Sequence, residues 1–228
     1  ETNDVTTTTT TTSTVNSPIS TKAGATGINP DGTPIAVGAT DLNWTVTGLS
    51  TSVVRYRNRA WADDSSTIGK WEGLLNGGVG NYDYSMSFDL TGVNLDDVQI
   101  SGKMATDNSG SVLLNGQDMG ISFPNEYKAL QAFSLQSNAS GIVVDGTTTI
   151  PNVLVDGTNT ITVRVNNAGG PTGMFFDELQ ISGSRTTSTT TSTTSQVTTV
   201  TKIYPGLADF EPDEFSGFIE NLAGAIAQ

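Results

Sequence analysis

Cysteine and histidine are both absent from this chain. Without cysteine there is no disulfide, no thiolate metal site and no thiol nucleophile. Without histidine there is no Ser-His-Asp triad and no imidazole base. Charge is also sparse, at 14% of residues, and positive charge sparser still: ten Lys and Arg stand against 23 Asp and Glu, for a formal net charge of −13. Nucleic acid is thereby excluded as a partner, because phosphate contact needs clustered cations. Any metal would have to be held by oxygen, which points to Ca²⁺. No run of about 18 apolar residues is present, so no membrane span is expected. The sequence opens at Glu1 with no basic-then-apolar leader, as expected of a secreted chain after signal-peptide removal.

What is abundant is glycine and threonine, the profile of an all-β extracellular protein. The stretch "YDYSMSFDL" alternates, with Tyr82, Tyr84, Met86, Phe88 and Leu90 on one face and Asp83, Ser85, Ser87 and Asp89 on the other. That period of two marks a half-buried strand. "VQISGKM" repeats it with Val98, Ile100 and Met104 inward, and "TITVRV" with Ile161, Val163 and Val165. "FDELQIS" places Phe175, Leu179 and Ile181 on one side with Asp177 between them. Turn signals such as Asn115-Gly116, Asp145-Gly146 and Asp156-Gly157 punctuate these runs. Short strands at this spacing predict a β-sandwich.

Composition divides the chain into a Thr-rich extended arm (1–18), a varied sandwich segment (19–184), a Ser/Thr-rich arm (185–204) and a C-terminal segment (205–228). In the last, Phe215, Phe218, Ile219, Leu222 and Ile226 make one helical stripe, which predicts a short amphipathic helix. Such a helix is marginal alone and should dock on something.

The stretch "YSMSFDLTGVNLDDVQISGKMATDNSGSVLLNGQDMG", with "AFSLQS" and "VDGTNTITVRVNNAGGPTGM", resembles a module of bacterial exported surface proteins. "DLNWTVTG" and "AWADDSSTIGKW" resemble that module's opening segment. The resemblance covers about residues 35–183 and implies a galactose-binding-like jelly roll. It implies export and a fold, not a reaction; relatives of that fold often bind sugars or Ca²⁺.

Two sets of residues are site candidates. Asp107 and Asn108 lie in a turn after a strand and, with Asp177, offer side-chain oxygens for Ca²⁺; the same oxygens suit a local Asx-turn. Trp61 and Trp71 flank a polar loop that holds Asp64, a platform on which a sugar ring could stack; sandwich proteins also bury such indoles in their cores. No motif surrounds any Glu, and the chain is not expected to be an enzyme.

The threonine tracts admit three readings: disordered linker, glycosylated stalk, or strand. Threonine is β-branched and stiff, and these tracts lack proline, so the strand is favoured. Val5 and Val15 bracket the first tract; Val197, Val200 and Ile203 bracket the second. The leading expectation is a subunit of an extracellular filament, a helical homopolymer grown head to tail as one copy's arm (Val5, Thr6, Thr8, Thr10, Thr12, Val15) adds to a neighbour's sheet. Val197, Val200, Ile203, Phe215, Phe218 and Leu222 would add further contacts between copies. The alternative is a secreted carbohydrate-binding surface module, Ca²⁺-dependent if the acidic loop holds the ion, carried on flexible linkers.

Overall fold

A computed structural model describes residues 2–22, 24–48, 52–54, 57–74, 77–124 and 127–200. Fourteen strands are present among them: β1 (Thr2–Lys22), β2 (Thr40–Asp41), β3 (Thr45–Val46), β4 (Ser52–Val54), β5 (Glu72–Leu74), β6 (Gly80–Asp89), β7 (Gln99–Asp107), β8 (Ser109–Leu114), β9 (Gln117–Phe123), β10 (Gln131–Asn138), β11 (Gly141–Val144), β12 (Thr148–Ile150), β13 (Thr158–Asn167) and β14 (Thr172–Val200). The first sheet runs β12-β11-β10-β7-β14-β5-β4-β2, with β1 also paired to β14; the second runs β3-β6-β13-β8-β9. From β6 onward the chain repeatedly changes sheet, as in a jelly-roll sandwich. By chain proximity Thr14–Ser188 forms one unit, and Glu1–Ser13 with Thr189–Gln228 the other.

The alternating strands form the core as their pattern dictates. Ile161, Val163 and Val165 of β13 are fully buried, and the register sets Ile161 opposite Met86 and Val163 opposite Tyr84. Ile100 and Met104 of β7, with Val98 just before it, lie in the same core, and Trp44 stacks on Phe176 at 5.6 Å. One expectation fails here. Phe175, Leu179 and Ile181 do not share a face, because the β14–β7 register shifts between Phe176 and Glu178. This bulge at Asp177 inserts one residue and reverses the phase of everything beyond it. Leu179 and Ile181 join the main core with Phe176, whereas Phe175 packs in a separate cluster.

Both threonine tracts lie on strands, β1 and β14. The sequence expectation gave each arm a partner in a neighbouring copy, whereas β1 and β14 are partners within the chain. Thr7–Thr12 and 189–195 are exposed, which covers the assembly residues Thr8, Thr10 and Thr12. Val5, Thr6 and Val15 lie on β1, and Val197 and Val200 on β14. Ile203, Phe215, Phe218, Leu222 and the helix expected over 205–228 lie outside the described residues.

Candidate functional site

The loop between β4 and β5 lies against the first sheet on the face away from the main core. Ala105 of β7 and Phe175 of β14 are cross-strand partners, and each alternates with a main-core residue, Met104 and Phe176. On these two the loop sets Trp61 and Trp71, 4.4 Å apart between ring centroids, with Trp71 5.5 Å from Phe175. Trp61 is 4% exposed and Trp71 0%. Their ring faces are therefore spent on packing, and the platform expected for sugar stacking is not at the surface. Each buried indole N–H has a partner: Trp61 Nε1 donates to Asp107 Oδ2 at 2.6 Å, and Trp71 Nε1 to the Ala62 carbonyl at 3.0 Å. Gly69 is where the loop meets β14, so close that a Cβ would collide with the Phe176 carbonyl oxygen. Its N–H donates to Asp177 Oδ1 at 3.1 Å.

Asp64, the third residue expected at a ligand site, does line a cleft. This cleft, of about 550 Å³, is walled by Pro34, Ile35, Ala36, Val37 and Val54 and edged by Arg57, Arg59, Asp64 and Lys70. The wall is pinned by backbone bonds, Ile35 N to Gly27 O and Gly38 N to Val54 O. Val37 stands 71% exposed. Lys70 Nζ donates to the carbonyls of Asp64 (2.6 Å) and Thr67 (2.8 Å), which closes the loop on itself. Arg57 pairs with Asp63 at 3.1 Å and more loosely with Asp64 at 3.8 Å. The Ser65 amide holds the Asp63 carboxyl below its ordinary range, so it is ionised at neutral pH. Arg59 is exposed and makes no ion pair among the described residues. Sequence reasoning overlooked these cations, although "RYRNR" sets Arg55, Arg57 and Arg59 at every second position of an acidic chain. Arg55 lies outside the described residues.

A larger cleft, about 840 Å³, is bounded by residues 24–25, 28–32, 42–43, 45 and 85–87. Its polar groups are already engaged with protein. Asn29 donates to Thr33, Asp31 accepts from the Thr33 amide and hydroxyl, and Asn43 donates to the Ile28 carbonyl. Thr45 donates to the Ser85 carbonyl, and Ser85 bonds Thr162. The smaller cleft is the one edged by cations.

The residues expected to hold Ca²⁺ are not brought together. Gly173 lies opposite Asp107, and Asp177 is four residues further along β14. At strand spacing that is about 13 Å. Asp107 is buried on the Trp61 indole, and its other oxygen accepts from Asn108 Nδ2 at 2.9 Å. Asn108 Oδ1 accepts the Ala168 amide, so these oxygens tie loops together. Among the described residues no three acidic side chains cluster as a metal site would require.

One pair of carboxyls was not foreseen. Asp41 and Glu72 are both 0% exposed and share the Gly27 amide, at 2.8 Å to Asp41 Oδ2 and 3.1 Å to Glu72 Oε1. Burial pushes the Glu72 carboxyl well above its ordinary range, and the hydrogen bond and charge of Asp41 push it further. A raised carboxyl in a cleft would be a candidate acid catalyst. This pair lines neither cleft and is sealed from solvent.

No protein-family model matches the chain, and no curated protein sequence does. Among solved structures it is similar to a family 35 carbohydrate-binding module from an environmental isolate, at 15% identity over 67% of this chain and 91% of that one, with a TM-score of 0.34. It is similar also to the CBM36-1 domain of a multidomain xylanase from the hindgut metagenome of Trinervitermes trinervoides, at 12% identity over 62% of this chain and 97% of that one, with a TM-score of 0.31. A third likeness is to Ruminococcus gnavus beta-glucuronidase, at 13% identity over 46% of this chain and 20% of the enzyme, with a TM-score of 0.26.

Proposed function

We propose that the chain is an exported, non-catalytic glycan-binding module, and that an acidic saccharide docks in the cleft between residues 34–37 and the loop carrying Arg57, Arg59 and Lys70. The observation that carries this reading is the gathering of three cations on one cleft, in a chain with ten basic residues against 23 acidic ones. A sugar bearing a carboxylate or sulfate offers both complementary halves. Its C–H face suits the wall of Pro34, Ile35 and Val37, and its anion suits a guanidinium fork.

Arg59 supplies the first contact. Arg57 would exchange Asp63 for the ligand, a nearly neutral swap because exposed ion pairs contribute only about 0–1 kcal/mol. The overall charge of −13 repels an acidic polymer at long range, but at physiological salt fields fade within about 8 Å and the local cations govern.

A glycan array carrying uronate-bearing, sulfated and neutral saccharides tests the reading. Binding confined to acidic glycans supports it. Binding to neutral glycans alone, or to none, refutes it.

A further inference from the structure

Among the described strands, the ribbon formed by β1 and β14 leaves one edge of β1 without a partner, and the sequence of β1 is self-complementary there. Among the described strands β1 has one partner, β14. Two-stranded ribbons are marginal in water; a third strand or more is normally needed. Natural edges are guarded by charge, proline or bulges. The tract 5–15 has none of these: it contains no charged residue, no proline and no glycine, and neither does 186–201. The chain's many like charges are thus kept off these tracts, where two copies could approach without repulsion.

Val5 and Val15 lie at equal distances from Thr10, with only Thr and Ser between them. An antiparallel pair related by a two-fold axis through Thr10 sets Val5 of one copy opposite Val15 of the other at both ends. Asp4 then falls opposite Asn16, so no like charges meet. Two positions beyond Asn16, Pro18 has no N–H and ends the ladder.

The geometry points to a second copy of this chain as the occupant of that edge: two ribbons join β1 to β1 in a closed two-fold dimer centred on Thr10. This differs from open head-to-tail growth, because an isologous contact uses up the surface that makes it. It is independent of the glycan cleft.

The test uses the full chain. Sedimentation at tens of micromolar should give twice the 23.8 kDa chain mass. Thr10→Lys sets two charges face to face on the axis and should give the monomer, while Thr191→Lys, on β14, leaves the dimer intact. Because the chain has no cysteine, single thiols report the register. Position 10 faces itself at about 4.5–5.5 Å between Cα atoms, within disulfide reach, so Thr10→Cys should cross-link on oxidation. Position 12 faces position 8, which leaves two thiols at 12 about 13 Å apart, so Thr12→Cys should not cross-link. A monomer at these concentrations, or equal cross-linking from positions 10 and 12, overturns the inference.

Discussion

Replacing Glu72 by glutamine isolates the buried carboxyl pair. Glu72 is held above its ordinary carboxylate value of 4.5, first by burial, then by the hydrogen bond and charge of Asp41. The folded state therefore binds more protons than the unfolded one above that pH. Its contribution is fully present below about 4.5 and is lost as pH rises through the folded value. At its steepest, one proton's difference changes stability by about 1.4 kcal/mol per pH unit. For a domain of this size that corresponds to about 3–5 °C in Tm per pH unit. The carboxyls that are lowered rather than raised act at a different pH. Asp31 and Asp89 are held down first by the hydroxyls of Thr33 and Thr91, and Asp63 by the Ser65 amide, so their protonation weakens the fold only at more acidic pH. Glutamine keeps an oxygen for the Gly27 amide and offers Asp41 an N–H, but it does not titrate. Calorimetric Tm values between about pH 5 and pH 8 should fall with pH for the parent and fall less steeply for Glu72→Gln, the difference being the Glu72 contribution. The general repulsion from net charge is common to both. Parallel curves would refute the reasoning, since Glu72 would then carry no excess proton in the fold.

Gly69→Ala drives a Cβ into the Phe176 carbonyl, a backbone atom that cannot swing aside, and should cost at least about 2–3 kcal/mol by denaturant titration. Gly32→Ala, at φ +84° with open space around it, should cost only about 1–2 kcal/mol from backbone strain. Asp107→Ala leaves the buried Trp61 N–H without the carboxylate it donates to, and should cost about 1–3 kcal/mol in the same assay.

Much of the fold was legible because its strands obey one simple rule. Ile161, Val163 and Val165 alternate without interruption, and all three are fully buried. The rule failed at Asp177, where one extra residue shifts the register; "FFDELQIS" has no glycine or proline to mark it. The site was less legible, for a different reason. Trp61 and Trp71 flank a polar loop whether they stack on a sugar or on each other, and only the positions of Ala105 and Phe175 decide. Asp107 and Asp177 share a chemistry but sit about 13 Å apart along paired strands, a distance that spacing in sequence does not encode. Glu72 did carry a signal, a lone acid between Trp71 and Leu74, although its partner Asp41 is remote in sequence. The threonine tracts lie on β1 and β14, and nothing in a threonine tract names its partner strand.

Isothermal titration of the full chain with a uronate oligosaccharide, beside its neutral counterpart, bears most directly on the cleft. Saturable heat should appear for the acidic ligand alone and should weaken as salt is raised. Loss of one charge-assisted hydrogen bond costs about 1.5–3 kcal/mol, so Arg59→Ala should weaken binding by about tenfold or more. Equal affinity for the two ligands, or acidic binding untouched by Arg59→Ala, would contradict the assignment of the cleft.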